Sequence, residues 1–284
     1  MSSTRTVTLI GVDGTRHVLA CSTEPYQLKP SAQLWGTAPY AVNSRQVGQI
    51  AGERVESVRA LPRTIVVPIQ VEGTTELAVD DYLGDLGAIL SPVDDVRLVY
   101  RRPDGTEREL TARYAGGGDA ITATDDSGYL QRHVTVPLIF KAHWPYWRAM
   151  AGAVGVSGPT TFDDGRAAGS NLVTVTNAGD VECSPEITIT GYAESIEGVN
   201  LTTGQGFRVR RVLTTTDVLR IDTDDRAFGV YLNDVADYST MDPASEFWPL
   251  VPGPNVLWFR GNTATGAESI GGFTVRWRPQ FETP

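Results

Sequence analysis

The chain has 284 residues, about two domains' worth at roughly 150 residues each. With 41% hydrophobic and 20% charged residues it lies far from compositions that stay disordered. Its 24 Lys and Arg against 34 Asp and Glu leave a formal charge of −10, which excludes the basic footprint of a nucleic-acid binder.

The opening segment reaches Gly11 and Asp13 before an apolar stretch can form, and no apolar run of about 18 residues follows anywhere. No secretion signal and no membrane span are expected. From Arg63 to Glu72 the chain alternates: Ile65, Val67, Ile69 and Val71 share one face, while Thr64, Val66, Gln70 and Glu72 share the other. Pro68 cannot donate to a ladder, so it marks this strand as an edge or a bulge. A helix follows, capped by Thr74, Thr75 or Asp80, with Leu83, Leu86, Ile89 and Leu90 on one stripe, and Ser91-Pro92 stops it. Val96 to Arg102 and Glu107 to Tyr114 flank Pro103-Asp104-Gly105, which predicts a hairpin.

After Gly116-Gly117-Gly118 a long strand places Val134, Val136, Leu138, Phe140 and Trp144 on one face, with Gln131, His133, Thr135, Lys141 and His143 on the other. From Met150 to Asn171 the composition turns to Gly, Ala, Ser and Thr, as in a linker. The expected division is therefore a domain at 1–150, a linker at 151–171 and a domain at 172–284. In the last, short alternating segments recur at Leu172 to Thr176, Pro185 to Gly191, Gly206 to Val212, Val218 to Thr223, Gly229 to Leu232, Val256 to Arg260 and Gly272 to Trp277. Such spacing predicts a β-sandwich or barrel.

Chemistry is sparse. The two cysteines, Cys21 and Cys183, make no disulfide framework and no Cys-x-x-Cys. His17, His133 and His143 are too dispersed for a metal cluster, since the last two stand about 33 Å apart along one strand at 3.3 Å per residue. The acidic pairs Asp80-Asp81, Asp94-Asp95, Asp125-Asp126 and Asp163-Asp164 read as turn formers and caps. Asp222, Asp224 and Asp225 come nearest to a calcium loop, but Arg226, Ala227 and Asn233 break the pattern. Neither lysine follows a glycine, so there is no P-loop, and no nucleophile elbow or zinc-protease helix is present. No cofactor is expected, and no catalytic residue can be nominated. The aromatic clusters His143-Trp144-Pro145-Tyr146-Trp147 and Phe247-Trp248-Pro249-Leu250 either plug the ends of sandwiches or form an interface or sugar-stacking platform. His133, His143, Tyr146, Trp147, Trp248, Trp258 and Trp277 are the candidate interface or ligand residues.

Taken together, these features resemble the distal tail proteins of long, non-contractile-tailed (siphovirus) bacteriophages, a family of tail-tip hub subunits. In the first half the resemblance rests on Arg63 leading into an apolar strand, the single helix, the Pro103-Asp104-Gly105 hairpin and Trp144-Pro145-Tyr146-Trp147. The last is similar to an aspartate-proline-tyrosine-tryptophan ending, with Trp144 where the family often has aspartate. In the second half it rests on Val175-Thr-Asn-Ala-Gly-Asp180, Pro185-Glu-Ile-Thr-Ile-Thr-Gly191, Val199-Asn-Leu-Thr-Thr-Gly204, Leu219-Arg-Ile-Asp-Thr223 and Trp248-Pro-Leu-Val-Pro-Gly253 with Asn255.

The resemblance implies a mainly β protein: a tail-tube-like β-sandwich with one flanking α-helix, followed by a galectin-like β-sandwich. It further implies a structural, non-enzymatic virion protein whose residues 1–150 form a homo-oligomeric ring of six at the tail tip, assembled in the host cytoplasm. The partners implied are the tail tube protein, a tail-associated hub or lysin protein and a receptor-binding protein, with DNA passing through the lumen unbound. Exposed strand edges and polar-faced strands of the first domain are the expected ring surfaces. A carbohydrate-binding module using Trp248, Trp258 and Trp277 is the second reading, and a hydrolase built on two carboxylates of unknown position is the third.

Overall fold

The computed structural model describes residues 6–20, 25–29, 32, 34, 36–46, 48, 51–117, 133–150, 155–156, 160–161, 172–224, 226–262 and 271–284. Of residues 20, 155, 156, 160, 161 and 262 only the backbone is described. Cys21, Asp125, Asp126, Asp163, Asp164, Asp225, Gln131 and most of the 151–171 linker lie outside the described residues. The chain divides into two compact units, Met1–Arg148 with Phe281–Pro284, and Ala149–Gln280. The last four residues thus group with the first unit.

The first unit contains strands β1 (Thr6–Ile10), β2 (Arg16–Ala20), β3 (Tyr26–Leu28), β4 (Tyr40–Gln46), β5 (Glu53–Ala60) and β6 (Arg63–Glu72), then helix α1 (Glu76–Ile89). Strands β7 (Asp95–Arg101), β8 (Glu107–Gly116), β9 (His133–Ala142) and β10 (Trp147–Ala149) follow. The main sheet runs Gln280–Phe281, β10, β8, β7, β1, β2, β3, β6, β9, and β9 pairs back onto β8. The expected sandwich therefore closes at its edges, and closure consumes most of the free strand edges expected to serve assembly.

Period two accounts for the core. Ile65, Val67, Ile69 and Val71 of β6 are all fully buried, as are Leu138 and Phe140 of β9, whose residues oppose β6 in antiparallel register from Arg63↔Ala142 to Glu72↔His133. Pro68 sits opposite Pro137. Its carbonyl accepts from Lys29 N (3.0 Å) on the β3 side, so its missing donor points the same way, where β3 has already ended at Leu28. Proline thus leaves β6 an interior strand, because the Lys29 carbonyl across from it accepts from Ala32 N (3.2 Å) instead. Strand β9 stops at Ala142, so Trp144 lies beyond the strand and half-buried, off the row of residues expected to include it.

Helix α1 begins at an N-cap Thr75, whose Oγ1 accepts from Ala78 N (3.2 Å). It buries Val79, Leu86 and Ile89 in the first unit's core, with Tyr82, Leu83 and Leu90 packed at the margin. Asp80 and Asp81 are neither caps nor turn formers; they stand in mid-helix, facing out. In the β7–β8 turn Gly105 takes φ +85° and Asp104 Oδ1 accepts from Thr106 N (2.9 Å), the chemistry read from Pro103-Asp104-Gly105.

The second unit contains β11 (Gly155–Val156), β12 (Thr160–Thr161), β13 (Leu172–Asn177), β14 (Glu186–Thr190), β15 (Glu194–Asn200) and β16 (Gln205–Arg208). Strands β17 (Val218–Asp222), β18 (Gly229–Leu232), β19 (Val235–Ala236), β20 (Gly253–Asn262) and β21 (Gly272–Trp277) complete it. One sheet is ordered β11-β21-β14-β17-β18-β19, with β12 also on β21, and the other β13-β20-β15-β16. Ile187, Ile189, Leu219, Ile221 and Val275 of the first meet Ile196, Phe207, Leu257 and Phe259 of the second in one buried cluster. Phe259 stacks on Phe273 across the sandwich with ring centroids 3.8 Å apart. No helix among the described residues is long and apolar enough to cross a membrane.

Gly198 makes this aromatic packing feasible: a Cβ there would lie 2.5 Å from the Phe207 ring and 2.9 Å from that of Phe259. Gly198→Ala is expected to destabilise the protein by about 1–3 kcal/mol through overpacking, measured by urea unfolding of the full chain. In the first unit Tyr26 Oη donates to the Tyr82 carbonyl of α1 (2.9 Å). Burial, with Asp85 adding to it, pushes the Tyr26 phenol from an ordinary 10 up to about 12. The neutral form is favoured when folded, so its contribution is complete below pH 10 and is lost as pH rises through about 12. Tyr26→Phe should lower stability at pH 7 by about 1 kcal/mol and flatten the alkaline decline, read from denaturation midpoints between pH 9 and 12.

Candidate functional site: anchors and outward surfaces

Arg63, 4% exposed, stands at the start of β6. Its Nη1 donates to the Pro145 carbonyl (3.2 Å) and the Glu282 carbonyl (3.2 Å), and its Nη2 to the Gly36 carbonyl. Three segments distant in sequence meet on one guanidinium, whose fixed fork of donors suits carbonyls converging from several directions. Burial draws the Arg63 pKa down, and the Glu282 carboxylate opposes that shift. Arg63 and the Trp144-Pro145-Tyr146-Trp147 segment, separate motifs in the sequence, are thus hydrogen-bonded partners.

The Phe281–Pro284 segment is held by further contacts within the same unit. The Arg108 guanidinium lies 3.4 Å above the Phe281 ring centroid, and its Nη1 donates to the Thr283 carbonyl (2.6 Å). The Glu282 carboxylate accepts from Ala38 N (3.0 Å) and from Tyr40 Oη. Burial first, then the Glu282 hydrogen bond, pushes the Tyr40 phenol well above its usual range. Tyr40 opens the β4–β5 hairpin, whose base is closed by Leu61 N donating to the Pro39 carbonyl (2.7 Å). Glu282 therefore fixes the root of a two-stranded ribbon that is separate from the main sheet.

The nominated aromatic and histidine residues do not gather into one site. Trp147 is fully buried in the first unit's core, while Tyr146 is half-buried against Trp144 at a centroid separation of 5.9 Å. His133 and His143 are exposed, one opening β9 opposite Glu72 and the other just past its end. Trp248, 1% exposed, donates from Nε1 to the Gly198 carbonyl (3.3 Å), and Trp277 does so to the Thr176 carbonyl (3.2 Å). Both are residues of the second unit's core; Trp258 is half-buried on β20. Asp222 and Asp224 are engaged in a turn: Asp222 Oδ1 accepts from Asp224 N (3.0 Å), and Asp224 pairs with Arg226 (2.8 Å). Among the described residues no group of three or more His, Cys, Asp or Glu is placed to hold a metal.

Three buried asparagines of the second unit do what sequence reasoning missed. Asn177 Nδ2 donates to the Val181 and Leu250 carbonyls (2.9 Å each), and Asn200 Nδ2 to the Pro249 carbonyl (3.1 Å). Asn255 Nδ2 donates to the Val251 and Gly253 carbonyls (2.8 and 3.0 Å), while its Oδ1 accepts from Val251 N (3.0 Å). The Trp248–Gly253 segment is thereby fastened from three directions. Each asparagine was visible within a family-like motif, yet its role depends on burial.

Residues 178–281 match a family model described as the siphovirus-type tail component, C-terminal domain. That match spans most of the second unit. The chain also shares its fold with the Dit protein (gp 19.1) of phage SPP1 at TM-score 0.69 and 15% identity, covering 97% of this chain and 99% of that one. A chain of the phage p2 baseplate in its activated conformation aligns at TM-score 0.46 and 12% identity, over 96% and 97% of the two chains. No curated protein sequence matches. The resemblance to the siphovirus distal tail proteins, and the mainly β fold it implied, are borne out. That family is one of siphovirus tail components.

In this distal tail fold Arg63 is the anchor most easily tested. Arg63→Met keeps the bulk of the side chain but strands three carbonyls, and should cost about 3 kcal/mol in chemical denaturation. Deleting Phe281–Pro284 removes one of the same bonds, so the two changes together should cost less than their sum.

Proposed function

We propose that this chain is the ring-forming hub subunit at the distal end of a siphovirus tail, joining the tail tube to the tip and host-recognition apparatus. The observation that carries this reading is the family match of the second unit within a fold that follows phage SPP1 Dit from end to end. That protein's structure is described as a paradigm of the hub adsorption apparatus in phages infecting Gram-positive bacteria. The chain acts by shape and by its contacts, not by transforming a substrate. The proposed partners are further copies of itself, the tail tube protein, a tail-associated hub or lysin protein and a receptor-binding protein. Its place is the tail tip of the virion, reached by assembly in the host cytoplasm.

We assign ring formation to the first unit. A ring of identical subunits needs two different, mutually complementary surfaces on each copy, and stable contacts bury at least about 1,000 Å² each. A fragment ending near residue 150 lacks Phe281–Pro284, so Arg63 and Arg108 lose partners and Phe281 leaves the core margin. Ring formation is therefore a property to be measured on the whole chain. Trp248 and Trp277 lend the carbohydrate-module reading no support, since both are committed to the core.

Native mass spectrometry and electron microscopy of the full-length protein are expected to show a closed ring of six copies around an open centre. A strict monomer at high concentration, both alone and with the tail tube protein, would overturn the proposal.

A further inference from the structure

The outer face of the β13-β20-β15-β16 sheet gathers polar and aromatic side chains around a cavity. Two rows cross this face by register. In one, Glu197 of β15 stands between Arg260 of β20 and Arg208 of β16; in the other, Val199 stands between Trp258 and Gly206. Adjacent strands lie about 4.8 Å apart, so Trp258 is about 10 Å from Gly206 across the face. Residues 242–245 strap the edge of β16: Asp242 N donates to the Arg208 carbonyl (2.9 Å), and Arg208 N donates to Ser245 Oγ (3.0 Å). A cavity of about 340 Å³ lies there, lined by Glu197, Val199, Gly206, Arg208, Asp242 and Ser245 among others. That volume is within the range of small-molecule sites.

The charged groups in the cavity hold one another and keep capacity to spare. Arg208 Nε donates to Glu197 Oε1 (2.7 Å), and its Nη2 approaches the same oxygen. Among the described residues Glu197 Oε2 and Arg208 Nη1 then make no hydrogen bond. Asp242 is occupied more fully, with Oδ1 accepting from Ala244 N (2.9 Å) and Oδ2 from Arg210 Nε (3.1 Å). A carboxylate only accepts and a guanidinium only donates, whereas a hydroxyl does both. Adjacent hydroxyls of one sugar ring can therefore satisfy Glu197 and Arg208 together. An anion would meet Glu197 and Asp242, a cation would meet Arg208 and Arg260, and an apolar segment would desolvate these charges without replacing their water. A neutral, hydroxyl-rich molecule incurs none of these costs.

The surroundings suit such a ligand. Gly206 occupies an outward position where a Cβ would come within 2.9 Å of Val199 Cγ2, so the cavity keeps a floor of bare backbone. Trp258, half-buried on the same face, supplies the flat apolar surface on which the C–H face of a sugar packs.

We propose that this cavity binds a neutral saccharide, with Glu197 and Arg208 engaging adjacent ring hydroxyls and Trp258 packing against a neighbouring sugar unit. The site is separate from Trp248 and Trp277, which belong to the core, and it does not depend on how copies of the chain assemble.

A glycan array probed with the full-length protein should show binding to neutral oligosaccharides. Calorimetric titration with the strongest of them should give a Kd that Glu197→Gln and Arg208→Met each raise by about tenfold or more. Both side chains lie on an outer face, so urea midpoints should stay near that of the unaltered protein, and Thr188→Ala, on the other sheet, should leave the Kd unchanged. As a measurement on the unsubstituted site, the same oligosaccharide should shift the fluorine resonance of Trp258 in protein labelled with 5-fluorotryptophan and leave those of Trp248 and Trp277 in place. Trp258→Phe assigns the signal. Binding confined to anionic glycans, no binding to any neutral oligosaccharide, a Kd indifferent to both polar substitutions, or a Trp258 resonance that does not move would overturn the proposal.

Discussion

Every buried carbonyl needs a donor, and this requirement bears hardest where the chain leaves its strands. Inside a sheet the ladder supplies the partner; at Gly36, Pro145, Glu282 and Pro249 it does not. An unpartnered carbonyl of this kind costs about 1–3 kcal/mol, comparable to a sizeable share of a domain's net stability. The two units meet the demand with different chemistry. In the first, one arginine reaches three segments at once; in the second, three asparagines each tie down a short stretch. The guanidinium must remain charged while buried, and the Glu282 carboxylate nearby favours that state. Asparagine carries no charge to desolvate, so it suits the interior of a sandwich, and its oxygen accepts a neighbouring N–H in return.

The arginine solution shapes the way the protein is put together. Phe281–Pro284 packs into a unit whose other residues end at Arg148, so the chain must pass through the whole second unit before the first is finished. Arg63 and Arg108 bind that returning segment through its backbone, which demands its position more than its sequence. Glu282 then couples the same segment to the root of the β4–β5 ribbon. Packing inside the unit and presentation of an outward surface are consequently linked through four residues.

How much of this was legible in the sequence follows from what each element buries. Strands β6 and β9 and the β7–β8 hairpin bury one full face, so period two shows them plainly, and α1 shows its stripe of Leu86 and Ile89. The β4–β5 hairpin buries neither face, and its apolar face is thinned by serine and glutamine, leaving little alternation to detect. Strand β15 escaped for another reason: its bulge between Glu194 and Glu197 breaks the register, and Gly198 occupies an inward position where size would normally signal core. Arg63 and the asparagines were legible as family-like motifs but not as roles, because a polar residue in isolation does not announce burial. The tryptophans invited a functional reading for the same reason, whereas Trp248 and Trp277 fill the sandwich.

The distribution of charge carries the last step. Copies of a protein at −10 repel one another, so their association requires that opposite signs meet locally where the copies touch. Several basic residues are already answered within the chain: Arg97 by Glu109, Arg113 by Asp95, Arg208 by Glu197, Arg210 by Asp242, Arg220 by Glu186 and Arg226 by Asp224. Among the described residues Arg45, Arg54 and Arg59 of the ribbon make no ion pair, and neither do the acids of α1. Exposed pairs within a subunit contribute little to its stability. A pairing of opposite charges between two molecules differs: it removes both groups from water together, and it rejects a neighbour presented in an orientation where like charges would meet.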